Sequence, residues 1–144
     1  MIALLFIWDS GSLHPWTELN MWKQLAEAFQ VDLVIMIPNL KMDLGSGTVT
    51  FEAYDTVEEA LASHPELKRV FLEPKSIVPD AIDLKDYVHE DNVIYIFGNS
   101  AKSNVGLITE DDTVVSVDTP NPDAQLWAIE VASIVLYDRK LKQG

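Results

Sequence analysis

The chain contains no cysteine among its 144 residues. Disulfides and thiolate metal sites are therefore excluded. Cationic side chains are scarce. Ten Lys and Arg face 23 Asp and Glu, the formal net charge is −13, and the only arginines are Arg69 and Arg139. Nucleic-acid binders draw most of their affinity from Lys and Arg on phosphate. So acidic a surface repels a polyanion over about a Debye length. The balance favours solubility and counts against independent RNA binding. No apolar run reaches membrane-spanning length, the longest being six or seven residues. The start, MIALLFIWDSGS, has neither a basic leader nor a small-residue cleavage site. It reads as a first strand and not a signal peptide, and a cytoplasmic location is expected. Internal repeats, low-complexity tracts and linkers are also missing. So are the G-x-G-x-x-G, Walker and G-x-S-x-G patterns, which removes those routes to phosphate binding and to a nucleophilic serine.

What is present is ordinary globular composition, 48% hydrophobic and 23% charged. The length suits one domain, residues 1–144, able to bury roughly 68–70% of its unfolded surface. Ile2–Trp8 is apolar nearly throughout, as a strand buried on both faces must be. Asp9-Ser10-Gly11-Ser12 ends it with turn chemistry. Pro15 and Thr17 open a helix with Thr17 as N-cap, and Leu19, Trp22, Leu25, Ala26 and Phe29 form its apolar stripe. Val31–Ile37, Thr48–Tyr54 and Lys68–Leu72 read as further strands. Thr56 and Glu59 match a capping box for a helix to about Ser63. Asp80–Val88 is expected to form a short helix. Strands alternating with helices mean an α/β fold with a mostly parallel sheet.

The most informative stretch is Asn92–Tyr137. It reads as a strand (Asn92–Phe97), a Gly/Ser/Asn-rich loop, a second strand (Thr113–Val117), a turn and a long helix. Asn121 as N-cap, Pro122 at the first helical position and Asp123 in the first turn predict the helix start. The helix should run to about Lys142, with Arg139, Lys140 and Lys142 suiting its C-terminal dipole. Both strands deliver their carboxyl ends into loops of small and polar residues, where open α/β sheets bind ligands. The helix carries Leu126, Trp127, Ile129, Val131, Ile134 and Tyr137 among few polar positions. An apolar circumference calls for cover on more than one side. A second subunit contacting Trp127, Val131 and Ile134 is the expected cover, ahead of a loop.

These residues resemble a family. The order strand–Phe97-Gly98-Asn99–loop–Val115-Ser116-Val117–helix, with Leu126, Ala132, Ile134, Leu136 and Tyr137 on the helix, is similar to the C-terminal half of SPOUT-superfamily (α/β-knot) RNA methyltransferases of the SpoU/TrmH-like branch. Leu25–Asp32 and Phe51–Ala62 resemble preceding parts of the same pattern, so the likeness runs along nearly the whole chain. The resemblance implies a parallel sheet with helices on both faces and a C-terminal trefoil knot. It implies S-adenosylmethionine held in the knot loops, a homodimer through the last helix, and methyl transfer to an RNA ribose 2′-hydroxyl. Candidate cofactor-binding residues are Phe97, Gly98, Asn99, Val117, Thr119 and Leu126. Asp118 and Asp123 could favour a sulfonium cation nearby.

Departures fall on the polar functional positions. The family's catalytic arginine aligns with Gln24, which cannot form a bidentate guanidinium–phosphate pair. The glutamate after Phe-Gly-Asn aligns with Ser100, and the motif's later glycine with Ser103 or Gly106. Asp118 stands for a proline, and Gln125 and Trp127 for the Ser and Asn beside Leu126. These changes count against catalysis by the usual mechanism. Asn20 and Lys23 are the only substitutes near Gln24 on the same helix. Two alternatives stay open: a non-catalytic knotted dimer acting as a scaffold, and an unknotted flavodoxin-like domain binding another small ligand. No metal is expected. His14, His64 and His89 are dispersed without ligand spacing and should be solvated surface residues. Glu110-Asp111-Asp112 and His89-Glu90-Asp91 read as solvated turns, and Lys102 as a solvated loop lysine.

Overall fold

A computed structural model of the chain describes residues 1–99 and 103–143. Ser100 and Lys102, named above, lie outside the described residues. Seven parallel strands form one sheet: β1 (Ile2–Ile7), β2 (Leu33–Ile37), β3 (Thr50–Ala53), β4 (Lys68–Leu72), β5 (Ile82–Asp83), β6 (Val93–Phe97) and β7 (Thr113–Ser116). Their order is β3-β2-β1-β6-β4-β7-β5. This is not the 2-1-3-4-5 order of flavodoxin-like sheets, so that alternative falls. The last two strands each enter between strands laid down earlier: β6 between β1 and β4, and β7 between β4 and β5.

Strands β1, β2 and β6 are apolar throughout because both sheet faces are covered, while β4 opens on the exposed Lys68 and the half-buried Arg69. Helices α1 (Pro15–Ala28) and α3 (Ala128–Gln143) lie on one face, packing Leu19, Trp22, Ala26, Ala132, Val135 and Leu136 against Leu4, Phe6, Tyr95 and Phe97. Helix α2 (Val57–Ser63) covers the other with Val57, Ala60 and Leu61 against Leu5, Ile35, Phe71 and Ile96. Trp22 is fully buried and stacks on Phe6 with ring centroids 4.7 Å apart. Thr56 caps α2 as expected, its hydroxyl accepting from the Glu59 N–H at 3.2 Å.

Three local expectations are corrected. His14, not Thr17, caps α1, its side chain accepting from the Trp16 N–H. Asp80–Val88 forms no α-helix. It holds the edge strand β5 and a single 3-10 turn, Leu84–Asp86. Asn121 does not start the last helix. Its side chain accepts from the Asp123 N–H at 3.1 Å in a free-standing turn, and α3 begins at Ala128. Leu126 and Trp127 therefore precede the helix, and Glu130 reaches back to the Trp127 N–H at 2.8 Å. Among the described residues, α3 is not covered by its own chain all round, which leaves open the face where a second subunit is expected. Trp127, Ile134, Tyr137 and Leu141 are exposed, at 57%, 41%, 51% and 62%, while Val131 is half-buried against the core.

Candidate functional site

The parallel register brings the carboxyl ends of the strands to one edge: Ile7 beside Ile37, and Leu72 beside both Phe97 and Val115. The loops after β1, β4, β6 and β7 leave from this edge. Phe97 is core, its ring 5.6 Å from Trp22, so only its backbone end is offered to the loop. Gly98 and Asn99 are half-buried, and Asn99 Nδ2 donates to the Ile7 carbonyl at 3.2 Å, tying the β6 loop to β1. Val117, Thr119 and Leu126 are half-buried along the β7 loop. Thr119 Oγ1 donates to the Asn121 carbonyl at 3.0 Å. The candidates from β6 and β7 thus flank β4, which runs between those strands.

Three buried polar residues lie at this edge: Glu73 and Asn104, which belong to none of the quoted motifs, and Ser116 within Val115-Ser116-Val117. Glu73 follows β4, and its N–H donates to the Val115 carbonyl at 3.2 Å. Its carboxylate Oε1 accepts from Ser103 Oγ and from the Asn104 N–H, both at 3.1 Å. It therefore fixes Ser103 and Asn104 over the end of β4. Asn104 is 1% exposed, yet neither Oδ1 nor Nδ2 has a hydrogen-bond partner. Ser116 Oγ donates to Asp118 Oδ1 at 2.6 Å. Asp118 also meets Lys75 Nζ at 3.5 Å, and Lys75 is bonded to Asp83. The hydrogen bond that Lys75 donates to Asp83 holds the ammonium above its ordinary pKa, and the same bond holds Asp83 below the usual carboxylate range. Asp118 is thus already matched by a cation, while Asp123 is exposed in its turn. A strand ending in an acid before proline, Leu72-Glu73-Pro74, is the one sequence signal that could have pointed here.

Asn20, Lys23 and Gln24 lie on the outer side of α1, Asn20 and Gln24 exposed and Lys23 half-buried. None belongs to the strand-end cluster. The histidines are not uniformly solvated. His14 is exposed, and His64 is half-buried with Nε2 2.7 Å from Glu52. His89 is buried, and its surroundings form a second polar cluster beneath α3. Arg139 NH1 donates to Tyr95 OH at 3.0 Å and to the Glu90 carbonyl at 2.8 Å. His89 Nδ1 lies 2.7 Å from Tyr95 OH and Nε2 lies 2.7 Å from Asp138. The assignment that satisfies every group passes the Tyr95 proton toward Nδ1 and places the imidazole proton on Nε2, facing Asp138. Burial holds His89 below its ordinary pKa, against the pull of Asp138. Arg139 is therefore a buried tie between α3 and β6, not a solvated dipole partner. No group of three or more His, Asp or Glu suited to a metal occurs among the described residues. No helix there is long and apolar enough to cross a membrane.

The residues fit an adenosyl ligand in kind. Loop backbone at the strand ends, a buried unpartnered carboxamide and a neighbouring carboxylate are a set of donors and acceptors suited to a polar heterocycle and a ribose. No family model matches the sequence. No curated protein matches it either. Solved structures do. One concerned with 2-OH methylation of C/U34 on tRNA aligns at TM-score 0.72 and 14% identity, over 99% of this chain and 95% of that one. The TrmH/SpoU tRNA modifying enzyme of A. aeolicus aligns at TM-score 0.74 and 11% identity, over 99% of this chain and 75% of that one. An AdoMet-bound rRNA methyltransferase from Sinorhizobium meliloti aligns at TM-score 0.65 and 12% identity, over 97% and 55%. The chain has the α/β fold of the SPOUT methyltransferases of the SpoU/TrmH type, as its motif order led one to expect.

Proposed function

We propose that the protein binds S-adenosylmethionine at the carboxyl ends of β4, β6 and β7, and that it is a SPOUT methyltransferase relative without the arginine-driven chemistry of 2′-O-methyl transfer. The observation that carries the reading is that β6 and β7 flank β4, so that their loops leave the sheet on either side of its carboxyl end, in a fold shared with an AdoMet-bound enzyme. Phe97, Gly98 and Asn99 on one side, and Val117, Thr119 and Leu126 on the other, would hold the ligand chiefly through backbone groups. When bound, the ligand supplies an electrophilic methyl group. The chain's part is to seat and enclose it. Gln24 offers neither the charge nor the fork that orients a phosphate beside a ribose hydroxyl. The net charge of −13 opposes RNA approach as well. The C-terminal segment is proposed to be threaded as an α/β knot. The late entry of β6 and β7 between earlier strands supports that threading.

The working unit is proposed to be a homodimer. Ile134, Tyr137 and Leu141 form an uncovered stripe on α3, beside a groove of about 360 Å³ that Leu84, Ser133 and Asp138 also line. Trp127 extends the stripe at its start, with Val131 contributing its open edge. Exposed apolar stripes of this kind mark association surfaces.

Calorimetry tests the binding. S-adenosylmethionine should give saturable heat, and none at millimolar ligand would remove the reading. Labelled cofactor with total RNA should give little ribose methylation. Robust transfer would show that the loss of arginine at position 24 is compensated. Light scattering after size exclusion should report a dimer, and a monomer at micromolar concentration would leave α3 without its proposed cover.

A further inference from the structure

Asn104 is the polar side chain that the fold explains least. Its backbone is firmly held, the N–H donating to Glu73 at 3.1 Å. Its side chain is enclosed, at 1% exposure, with both amide atoms unanswered. Burying a carboxamide without partners opposes folding, and an apolar side chain such as the branched but bulkier leucine, or the smaller valine, would occupy the site without that penalty. The placement adds meaning. Glu73 follows Leu72, whose register partners are Phe97 on β6 and Val115 on β7. Asn104 is therefore tethered over the strand that the two candidate loops flank. A carboxamide presents one acceptor beside one donor. Adenine presents the matching pair, its exocyclic amine beside a ring nitrogen.

We propose that Asn104 reads the adenine base of an adenosyl ligand at the strand ends, and that Glu73 is a positioning residue that fixes the Asn104 backbone. This rests on the S-adenosylmethionine reading above and names the residue that would give that site its base specificity.

The test uses the unreactive probe S-adenosylhomocysteine, with calorimetry and ligand-free thermal unfolding side by side. Wild type should bind. Asn104→Leu should lose about tenfold or more in affinity, while its ligand-free unfolding temperature rises. Glu73→Ala should weaken binding, and Glu73→Gln, which keeps an acceptor for the Asn104 N–H, should restore most of it. No binding by wild type removes the site reading itself. Wild-type binding with unchanged affinity in Asn104→Leu overturns the role of Asn104 and leaves the site standing. A lower ligand-free unfolding temperature in both Asn104→Leu and the smaller Asn104→Val shows that the amide is already satisfied within the protein, and overturns the inference as well. Equal loss in Glu73→Ala and Glu73→Gln contradicts the positioning role.

Discussion

Two regions of this molecule bury polar side chains, and they are finished differently. Beneath α3, Arg139, Tyr95, His89 and Asp138 form a continuous chain of hydrogen bonds. Lys142 closes the region by donating to the Leu84 and Tyr87 carbonyls at 2.5 and 2.9 Å and pairing with Asp138 at 2.9 Å. One group there is left over, the buried Tyr87 hydroxyl. At the strand ends, Glu73 and Ser116 are answered within the chain, but the whole carboxamide of Asn104 is not. A buried network whose members satisfy one another fixes structure. A buried group with hydrogen-bonding capacity left over is where a ligand gains most. The first region anchors the last helix to the sheet. The second is the place to look for chemistry.

Substitutions should separate the two. The largest effect is expected from Arg139→Met, which strips the Tyr95 hydroxyl and the Glu90 carbonyl of a charged donor. Urea unfolding should show a loss of about 3 kcal/mol, with S-adenosylmethionine affinity unchanged. Tyr95→Phe should cost about 2 kcal/mol by the same measurement, because it breaks the chain at its middle. Asn104→Leu should move the other way, gaining about 1 kcal/mol without ligand. A loss there would erase the contrast between the regions. Tyr87→Phe removes the one leftover hydroxyl beneath α3. It should be neutral or stabilise by up to about 1 kcal/mol, and the heat of ligand binding should stay as in wild type, unlike in Asn104→Leu.

The smallest expected effect is a pH slope. His89 faces Asp138, Arg139 and Lys142 from α3, Tyr95 from β6, and Tyr87 and Glu90 from its own segment. Its folded pKa lies below the unfolded value near 6.5, with burial as the leading cause. Between those two values the unfolded chain binds more protons. Stability is therefore present above about 6.5 and falls as pH drops from there toward the folded value. Unfolding measured at pH 7.5 and 5.5 should show the fall in wild type and a flatter response in His89→Gln. An equal slope in both would mean that the imidazole is not held neutral.

The sheet was legible because β1, β2 and β6 are apolar on both faces, a pattern that only doubly covered strands need. The capping box of α2 was legible because its signal is complete within four residues. Asn121-Pro122-Asp123 misled because the same residues that begin a helix also close a free-standing turn, and nothing local distinguishes the two. The two-residue strand β5 is too short for any periodicity. His89 looked like a loop histidine because its partner Asp138 is 49 positions away. The pairing of Glu73 with Asn104 was hidden for the same reason, the acid before Pro74 being its one local trace. The two meet across 31 positions, and only the closing of the β6 loop over β4 buries them. The motif order located the site, while its polar interior depends on contacts that the sequence does not write side by side.

The central claim is that the strand ends, and not the region beneath α3, hold an adenosyl ligand. Titrating isotopically labelled protein with S-adenosylmethionine while recording amide and side-chain carboxamide resonances tests it most directly. Saturable shifts should appear at Gly98, Asn99, Val117, Thr119 and the Asn104 side chain, with His89, Asp138 and Arg139 unmoved. Shifts confined to the α3 region, or no shifts at millimolar ligand, would contradict the account.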